Sequence, residues 1–216
     1  PFWGTRVLRD IPLDEVFELL DLDELYRLQW GARGSGDQYK ATVKNEFEPT
    51  LARLKEEAKK NGWLKPQVAY GYFPAQTIGN EVVVYDPAAY SSSAGSLREI
   101  ARFRFPRLVG RERLCLADYV RAASSDVVDV LPLQIVTVGA EASKRFEELQ
   151  SANEYGEAFY VHGLGVETAE ALAEWSHRRI KSELGLTTGK RYSWGYGACP
   201  DLEDHAVVFK LLPADA

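Results

Sequence analysis

The sequence predicts a single α+β domain, residues 1–216, with a central twisted antiparallel sheet flanked by helices. Strand patterns are concentrated in the middle of the chain, and helical patterns precede and follow them instead of alternating with them. The chain is also long enough, at 216 residues with 45% hydrophobic content, to bury one large core. No internal repeat or linker-like segment divides the sequence, which favours one domain.

Helical patterns dominate the first part of the chain. DIPLDEVFELL, residues 10–20, predicts a short helix capped by Asp10, and residues 22–30 predict a second helix that ends in a glycine-serine loop. A third helix is predicted to end at Gly62, a typical C-terminal stop. Pro49 lies inside this third pattern and predicts a kink or a second helix start.

Strand patterns occupy the middle of the chain. QVAYGYF (67–73) and EVVVYD (81–86) predict an antiparallel pair joined by the turn-rich segment PAQTIGN (74–80). REIARFRF (98–105) alternates apolar and charged side chains, as a half-buried strand does. LPLQIVTVG (131–139) is almost continuously apolar and predicts a central strand.

The last third of the chain is predicted to be mainly helical. A long helical region extends from about Ala142 to Glu183, with a break around HGLGVE (162–167), and Gly185 ends it. The short segment AVVFKLL (206–212) is compatible with either a final strand or a helix.

Composition excludes several classes of partner and indicates the compartment. A formal net charge of -6 and a pI near 5.2 argue against a nucleic acid or a membrane surface, because both attract basic proteins. No apolar run approaches the ~20 residues of a membrane span. Two cysteines are too few for a disulfide framework, so we expect reduced thiols and a cytoplasmic protein. Because the chain begins at Pro1 and contains no methionine, we expect it to be part of a larger polypeptide.

The residue types that carry catalysis or bind metals are scattered along the sequence. Three histidines and two cysteines have no metal-ligand spacing, so no metal site is predicted. Neither phosphate-binding glycine motif occurs, and no nucleophile motif accompanies a cysteine or histidine. The sequence therefore predicts no catalytic residue.

The segment RYSWGYGACPD, residues 191–201, is the strongest candidate for a binding site. Its glycines and proline disfavour regular structure and indicate a shaped loop. Arg191 offers a planar set of donors that fits a carboxylate. The loop also offers exposed backbone at Gly195 and Gly197 and three aromatic rings for stacking. These features predict a ligand with a carboxylate and an aromatic ring; the alternative is a structural loop whose aromatic side chains fill the core.

This loop resembles the RxxxGYPACPD-type loop of the C-terminal activation domain of cobalamin-dependent methionine synthase. Four further blocks resemble this family and follow its order across nearly the whole chain. PFWGTRVLRDIPLDEVF is similar to its entry segment, and YGYFPAQTIGNEVVVYD is similar to its hairpin. LCLADYV is similar to its YCLADFV motif, and YVHGLGVETAEALAEWSHRRIKSELG is similar to the long helix before the loop. Each block is weak alone, and together they are specific.

The resemblance implies a function. It implies that the domain binds S-adenosylmethionine and presents its methyl group to cob(II)alamin, which is reductively methylated back to methylcobalamin. Cobalamin would be held mainly by a neighbouring cobalamin-binding domain of the same polypeptide, and the electron would come from flavodoxin or a similar reductase. The isolated domain would be part of a methyltransferase that does not turn over alone.

The resemblance also implies which residues bind the ligand. In the loop these are Arg191, which would hold the carboxylate, and Gly195, Tyr196 and Ala198, which would line the site. The family has an acidic residue after its first helix that contacts the ammonium end of the ligand. Asp21 is the favoured match and Asp23 the alternative.

Glu170 matches a further acidic position of the family, and for each acidic residue the alternative is a solvated helix face. The sequence departs from the family at Gly197, where proline is usual, and at Leu202, where histidine is frequent. It also lacks the aromatic-rich tail that covers the ligand in longer members.

These departures leave open a second reading, a docking module for a corrinoid domain and its reductase that does not bind S-adenosylmethionine by itself. A stand-alone methyltransferase is disfavoured because no general base accompanies a nucleophile.

Overall fold

The computed structural model describes residues 2–92, 96–110 and 113–214. The chain forms two compact units, each built from separate stretches of sequence. The helical unit comprises Leu8–Val68 and Val136–Arg178, and the sheet unit comprises Pro1–Val7, Ala69–Ile135 and Arg179–Ala216. The count of one domain stays a prediction.

Among the described residues, five strands form one sheet: β1 Gly4–Leu8, β2 Gln67–Ile78, β3 Glu81–Tyr85, β4 Glu99–Arg104 and β5 Asp129–Thr137. Their order is β1-β2-β3-β4, with β5 also paired to β2, and both the β2–β3 and β3–β4 pairs are antiparallel. The prediction of an α+β fold with an antiparallel sheet is confirmed, whereas β1 had no counterpart among the predicted strands.

The connection predicted between the first two strands is mostly strand. β2 continues through Pro74 to Ile78 and pairs with β3 from Ala75↔Val84 to Ile78↔Glu81, so that only Gly79 and Asn80 form the turn. The predicted loop over 74–80 was wrong because burial outweighs the turn preference of these residues. The buried Gln76 side chain, for example, donates to the Val127 carbonyl at 3.0 Å.

The strand predicted over 131–139 is β5. Leu133 is buried, while the residues on either side of it are half-buried. β2 pairs with β1, β3 and β5, so β2 is the central member of the sheet.

Most helices follow the predicted order with corrected boundaries, but the helix Pro87–Ser92 had no predicted counterpart. The helices Leu22–Glu24 and Gly36–Thr42 each continue into a π-helical turn, Leu25–Gln29 and Val43–Phe47, and Leu116–Tyr119 is a 3-10 turn. The α-helices are α1 Leu13–Phe17, α2 Leu22–Glu24, α3 Gly36–Thr42, α4 Glu48–Asn61, α5 Pro87–Ser92, α6 Ala140–Ser151, α7 Tyr155–Leu184 and α8 Asp204–Leu211. The segment 206–212, for which the sequence left a strand or a helix open, is helical, because α8 includes its residues as far as Leu211.

Three helix ends test the sequence rules directly. Asp10 has a left-handed φ of 57° and does not cap α1, because Pro12 occupies the position before Leu13. α4 begins at Glu48 directly after the π-helical turn, with Pro49 in its first turn, as the predicted second start requires, since proline lacks the N–H that a helix interior needs. Gly62 ends α4 in the left-handed region at φ 64°, as predicted.

α7 runs without interruption through the segment in which the sequence predicted a break. Gly163 lies under the Trp30 ring, and a Cβ at this position would be 2.6 Å from the nearest ring atom. The Trp30 indole N–H also donates to the Tyr160 carbonyl at 3.1 Å. The predicted break over 162–167 was wrong because Gly163 permits close packing against Trp30 and the helix continues through the segment.

The core of the sheet unit joins the strands to the C-terminal segment. Cys115 and Cys199 are both buried in it and both free. Its buried residues are Ala69, Phe73, Ala75, Val82, Val84, Phe103, Phe105, Cys115, Ala117, Leu133, Cys199, Val208 and Leu212. Within the described part of the chain, no helix is both long and apolar enough to cross a lipid bilayer.

Candidate functional site

Residues 191–201, here called the aromatic loop, are fastened to the core of the sheet unit by Trp194. Its indole N–H donates to Asp204 Oδ2 at 3.0 Å, and its ring lies 5.4 Å from that of Phe103, centroid to centroid. One side chain therefore joins the loop both to the sheet and to the first turn of α8. The alternative reading of the loop, that its aromatic residues fill the core, holds for Trp194.

Cys199 closes the loop into a tight turn. The Gly195 N–H donates to the Cys199 carbonyl and the Cys199 N–H to the Tyr196 carbonyl, both at 2.9 Å. The Cys199 thiol donates to the Ser193 carbonyl at 3.0 Å. Burial, and after it the charge of Asp204, raises the pKa of the Cys199 thiol. Cys199 therefore has a structural role in the loop.

Gly195 is required by the shape of this turn. Its φ of 95° is one that other residues rarely adopt, and a Cβ there would lie 3.0 Å from a Leu202 methyl group. Its N–H is used inside the loop. Gly195 therefore shapes the turn, and its N–H is bonded to the Cys199 carbonyl.

The other aromatic residues of the loop face solvent. Tyr192 is 40% exposed and Tyr196 70%, whereas Arg191 and Ala198 are half-buried. The loop thus holds an arginine and two accessible rings on a turn with a defined backbone. This combination can bind a carboxylate and stack on a flat ring.

The carboxyl group of Asp204 is held close to the loop in a partly buried position. Burial raises the pKa of Asp204, and the nearby charge of Asp201 acts in the same direction. The hydrogen bond from Trp194 and the charge of His205 act in the opposite direction. Asp204 had no predicted role, because its partner Trp194 is ten positions away and belongs to a segment without regular structure.

The predicted acidic residues lie in the helical unit. Asp21 precedes α2, and its Oδ1 accepts the Glu24 N–H at 3.0 Å. Its own backbone N–H donates to Glu167 Oε1 at 3.1 Å. Asp23, the alternative to Asp21, instead has Oδ1 3.4 Å from the Tyr39 hydroxyl. We name Asp21, Glu24, Glu167 and Glu170 the acidic group.

Glu167 is the most buried member of the acidic group, at 2% exposure. Among the described residues its Oε2 atom has no hydrogen-bond partner. Burial raises the pKa of Glu167, the hydrogen bond from the Asp21 backbone N–H lowers it, and the charges of Glu24, Asp21 and Glu170 raise it further. Sequence analysis missed this residue because its segment was interpreted as a helix break. The available signal was its position three residues after Leu164, on the apolar face of α7.

The structure therefore brings the predicted residues together in two sets. Arg191, Gly195, Tyr196 and Ala198 share the aromatic loop of the sheet unit. Asp21 and Glu170 belong to the helical unit, where both act electrostatically on Glu167. In the described part of the chain, no cluster of three or more His, Cys, Asp or Glu residues could hold a metal ion.

Comparison with known sequences gives consistent matches. A sequence profile described as "Vitamin B12 dependent methionine synthase, activation domain" matches residues 12–216. The chain is 37% identical to methionine synthase of Mycobacterium tuberculosis (strain ATCC 25618 / H37Rv) over 242 aligned positions, and 35% identical to that of Mycobacterium leprae (strain TN). Each match covers 98% of this chain and 20% of the relative, so the chain spans about one fifth of these proteins.

Comparison with solved structures supports the fold. A crystal structure of the MetH reactivation domain bound to AdoHcy superposes with a TM-score of 0.82 at 20% sequence identity. The match covers 98% of this chain and 70% of that one. At this identity the likeness establishes a shared fold.

Proposed function

Because the chain belongs to the family of vitamin B12-dependent methionine synthase activation domains, we propose that it binds S-adenosylmethionine and presents the methyl group to cobalamin. The comparisons establish the family of this domain. The ligand, the reaction and the partners given below are what we propose.

The aromatic loop is the observation that carries this proposal. S-adenosylmethionine has a carboxylate at one end and an adenine ring at the other. Arg191 offers the donors for the carboxylate, and Tyr192 and Tyr196 offer exposed rings, while Trp194 and Cys199 hold the backbone in one shape. A loop that served only to fill the core would not leave two tyrosines exposed at 40% and 70%.

Each residue of the loop has a distinct role in the proposal. Arg191 holds the carboxylate, Tyr196 and Ala198 line the ligand, and Gly195 permits the turn. Binding energy is used here for orientation, since the ligand must present a methyl group from a fixed position.

Asp21 and Glu170 are proposed to act on the ammonium end of the ligand. Carboxylates are the side chains that pair most strongly with an ammonium group. Asp21 is preferred over Asp23, because Asp21 is part of the acidic group while the Asp23 carboxylate lies beside Tyr39.

The proposed reaction joins three components. One electron from flavodoxin or a similar reductase and the methyl group of S-adenosylmethionine together convert cob(II)alamin to methylcobalamin, and S-adenosylhomocysteine is released. Cobalamin is held by another domain of the polypeptide, in agreement with the chain's share of one fifth of its relatives. The residues of this chain bind and orient the methyl donor. We place the reaction in the cytoplasm.

A second candidate function is a docking module for a corrinoid domain and its reductase, without binding of S-adenosylmethionine. The observation that favours it is the exposure of apolar side chains on the aromatic loop and near it, with Tyr196 at 70%, Leu202 at 61% and Phe209 at 53%. Such side chains suit a protein surface as well as a ligand.

Calorimetric titration of the chain with S-adenosylmethionine separates the two functions. We expect saturable binding that Arg191→Ala weakens at least tenfold, or about 1.4 kcal/mol. Arg104→Ala, an exposed arginine of β4, is the matched control and should leave the affinity unchanged. If the natural chain gives no binding heat while it still associates with a cobalamin-loaded domain, the docking function replaces the proposed one.

A further inference from the structure

The middle of α7 carries a buried carboxyl group to which the proposed function assigns no role. Glu167 is 2% exposed, and its Oε1 accepts the Asp21 backbone N–H at 3.1 Å. Its Oε2 has no hydrogen-bond partner among the described residues. Folded proteins pair nearly all buried polar atoms, because an unpaired one loses its hydration without compensation. An orphaned carboxyl oxygen is therefore an observation that needs a physical reason.

The surroundings of Glu167 make its ionised form unfavourable. Asp21 and Glu24 face it from the start of α2, and Glu170 lies one turn further along α7. The charges of Glu24, Asp21 and Glu170 raise the pKa of Glu167, whereas the hydrogen bond from the Asp21 backbone N–H lowers it by a smaller amount than burial raises it. Burial and like charges both favour the neutral acid. The neutral acid keeps one acceptor oxygen for the Asp21 N–H and leaves its O–H without a partner.

An organic cation would offset the like charges that Asp21, Glu24 and Glu170 exert on Glu167. A primary ammonium group is small, carries three donors and can approach several carboxylates at once. A metal ion is a poorer candidate, because the described residues include no cluster suited to one. A positive charge beside Asp21 would lower the cost of ionising Glu167.

We propose that Glu167 is a positioning residue that exchanges a proton with ligand binding. Over the pH range in which Glu167 titrates, it releases its proton to solvent when the ammonium group of S-adenosylmethionine enters the acidic group. The resulting carboxylate is a stronger acceptor for the Asp21 N–H and holds that residue against the ligand. This inference rests on the proposed function and adds to it a role for Glu167 and the release of a proton on ligand binding.

The first experiment measures the proton directly. Calorimetric titration uses S-adenosylhomocysteine, which has the same amino-acid end and no sulfonium charge, at one pH in two buffers with different heats of ionisation. We expect a buffer-dependent enthalpy that corresponds to net proton release. We also expect the affinity to rise with pH by up to about tenfold per pH unit where Glu167 titrates.

Glu167→Gln is the test variant and keeps the acceptor for the Asp21 N–H. It should still bind S-adenosylhomocysteine, while the part of the proton release and of the pH dependence that belongs to Glu167 disappears. The ligand's own ammonium titrates equally in both proteins, so the difference reports Glu167. Glu147→Gln, an exposed residue of α6, is the matched control and should behave as the natural chain does.

The second experiment needs no ligand. Carbon-13 NMR of the glutamate carboxyl groups, with Glu167 assigned by comparison with Glu167→Gln, should show this carboxyl protonated at a pH where exposed glutamates are ionised. Glu24→Gln removes one like charge and should move the Glu167 transition to lower pH. This variant serves as the test if Glu167→Gln does not fold.

The outcomes separate the inference from the proposed function. Proton release that is lost in Glu167→Gln, together with a late Glu167 transition, supports both. Normal binding without proton release, or a Glu167 that ionises with the exposed glutamates, overturns the inference and leaves the proposed function standing. Absence of S-adenosylhomocysteine binding by the natural chain, with a late Glu167 transition by NMR, overturns the proposed function and with it the ligand-linked proton release.

Discussion

Two glutamates on the same helix show how differently one side chain can be used. Near the end of α7, Glu183 accepts hydrogen bonds from the Tyr70 and Tyr72 hydroxyls, each at 3.0 Å, and pairs with Arg179 at 3.0 Å. In the middle of α7, Glu167 is more deeply buried, yet one of its oxygens has no partner among the described residues.

The difference teaches how to separate a structural carboxylate from a functional one. A buried carboxylate whose oxygens are all satisfied stabilises the fold and gains nothing from a further partner. A buried carboxylate with an unpaired oxygen destabilises the fold until something compensates it. Asp204 is half-buried, as Glu183 is, and accepts the Trp194 indole N–H, whereas Glu183 accepts from two tyrosines and pairs with Arg179. Asp204 therefore lies between the two cases.

The largest expected effect comes from removing the fully paired carboxylate. Glu183→Ala leaves the Tyr70 and Tyr72 hydroxyls without their acceptor, and we expect a loss of about 2–3 kcal/mol in the free energy of unfolding. Urea denaturation followed by circular dichroism measures it. Glu183→Gln keeps an acceptor and should lose about half as much. Equal stability of the alanine variant and the natural chain would contradict the structural role.

The close packing of α7 against Trp30, near the acidic group, provides the next test. Gly163→Ala places a Cβ 2.6 Å from the Trp30 ring, so we expect a loss of about 2 kcal/mol despite the better helix propensity of alanine. Gly165→Ala is the matched control on the same helix, since a Cβ there meets nothing within 4 Å. It should stabilise the chain by roughly 0.5–1 kcal/mol. Thermal unfolding of both variants shows whether Gly163 is needed for close packing against Trp30, since a position that needed only a flexible backbone would not distinguish the two substitutions in this way.

The Asp204 carboxylate tests the intermediate case. Trp194→Phe keeps an aromatic ring against Phe103 but removes the donor to Asp204, and we expect a loss of about 1 kcal/mol. Adding Asp204→Asn should restore part of the loss, because a neutral amide costs less to leave partly buried than a carboxylate does. A double-mutant cycle by urea denaturation measures the coupling, and strictly additive effects would show that the two side chains act independently.

The smallest expected effect belongs to Glu167 and depends on pH. Burial among acidic neighbours raises the pKa of Glu167 above its ordinary value of 4.5. The stability that its bound proton contributes is therefore fully present below pH 4.5 and is lost as the pH rises through the folded-state pKa. The stability of the natural chain relative to Glu167→Gln should fall over that range. Unfolding curves of the natural chain and of Glu167→Gln, recorded across this pH range, sharpen the comparison with Glu183. A difference in stability that does not change with pH would contradict the prediction.

The aromatic loop could be located from the sequence because its signals are local. Glycine, proline and three aromatic residues within eleven positions indicate a shaped loop, and Gly195 indeed has the left-handed backbone that only glycine adopts easily. The role of Trp194 could not be derived in this way. Its anchors, Phe103 and Asp204, are distant in sequence or belong to a helix whose existence the sequence left open.

The glycines of α7 illustrate a signal whose meaning depends on context. Gly163 and Gly165 predict a break when only helix propensity is considered. In the folded chain Gly163 is the place where the Trp30 ring fits, and Trp30 is more than a hundred positions away. The predicted break also prevented the burial of Glu167 from being recognised, because a residue outside a helix cannot be assigned to a buried or an exposed helix face.

The sequence by itself determined the fold class, the order of most helices and strands, the family and the residues of the aromatic loop. These features depend on periodicity, on turn chemistry and on motifs that are short in sequence. Tertiary structure alone decided that residues 74–78 extend β2, that α7 is continuous and that Glu167 is buried beside Asp21. Each of these depends on contacts between distant segments, and the free energy of burial at such contacts outweighs the local preferences from which a sequence is interpreted.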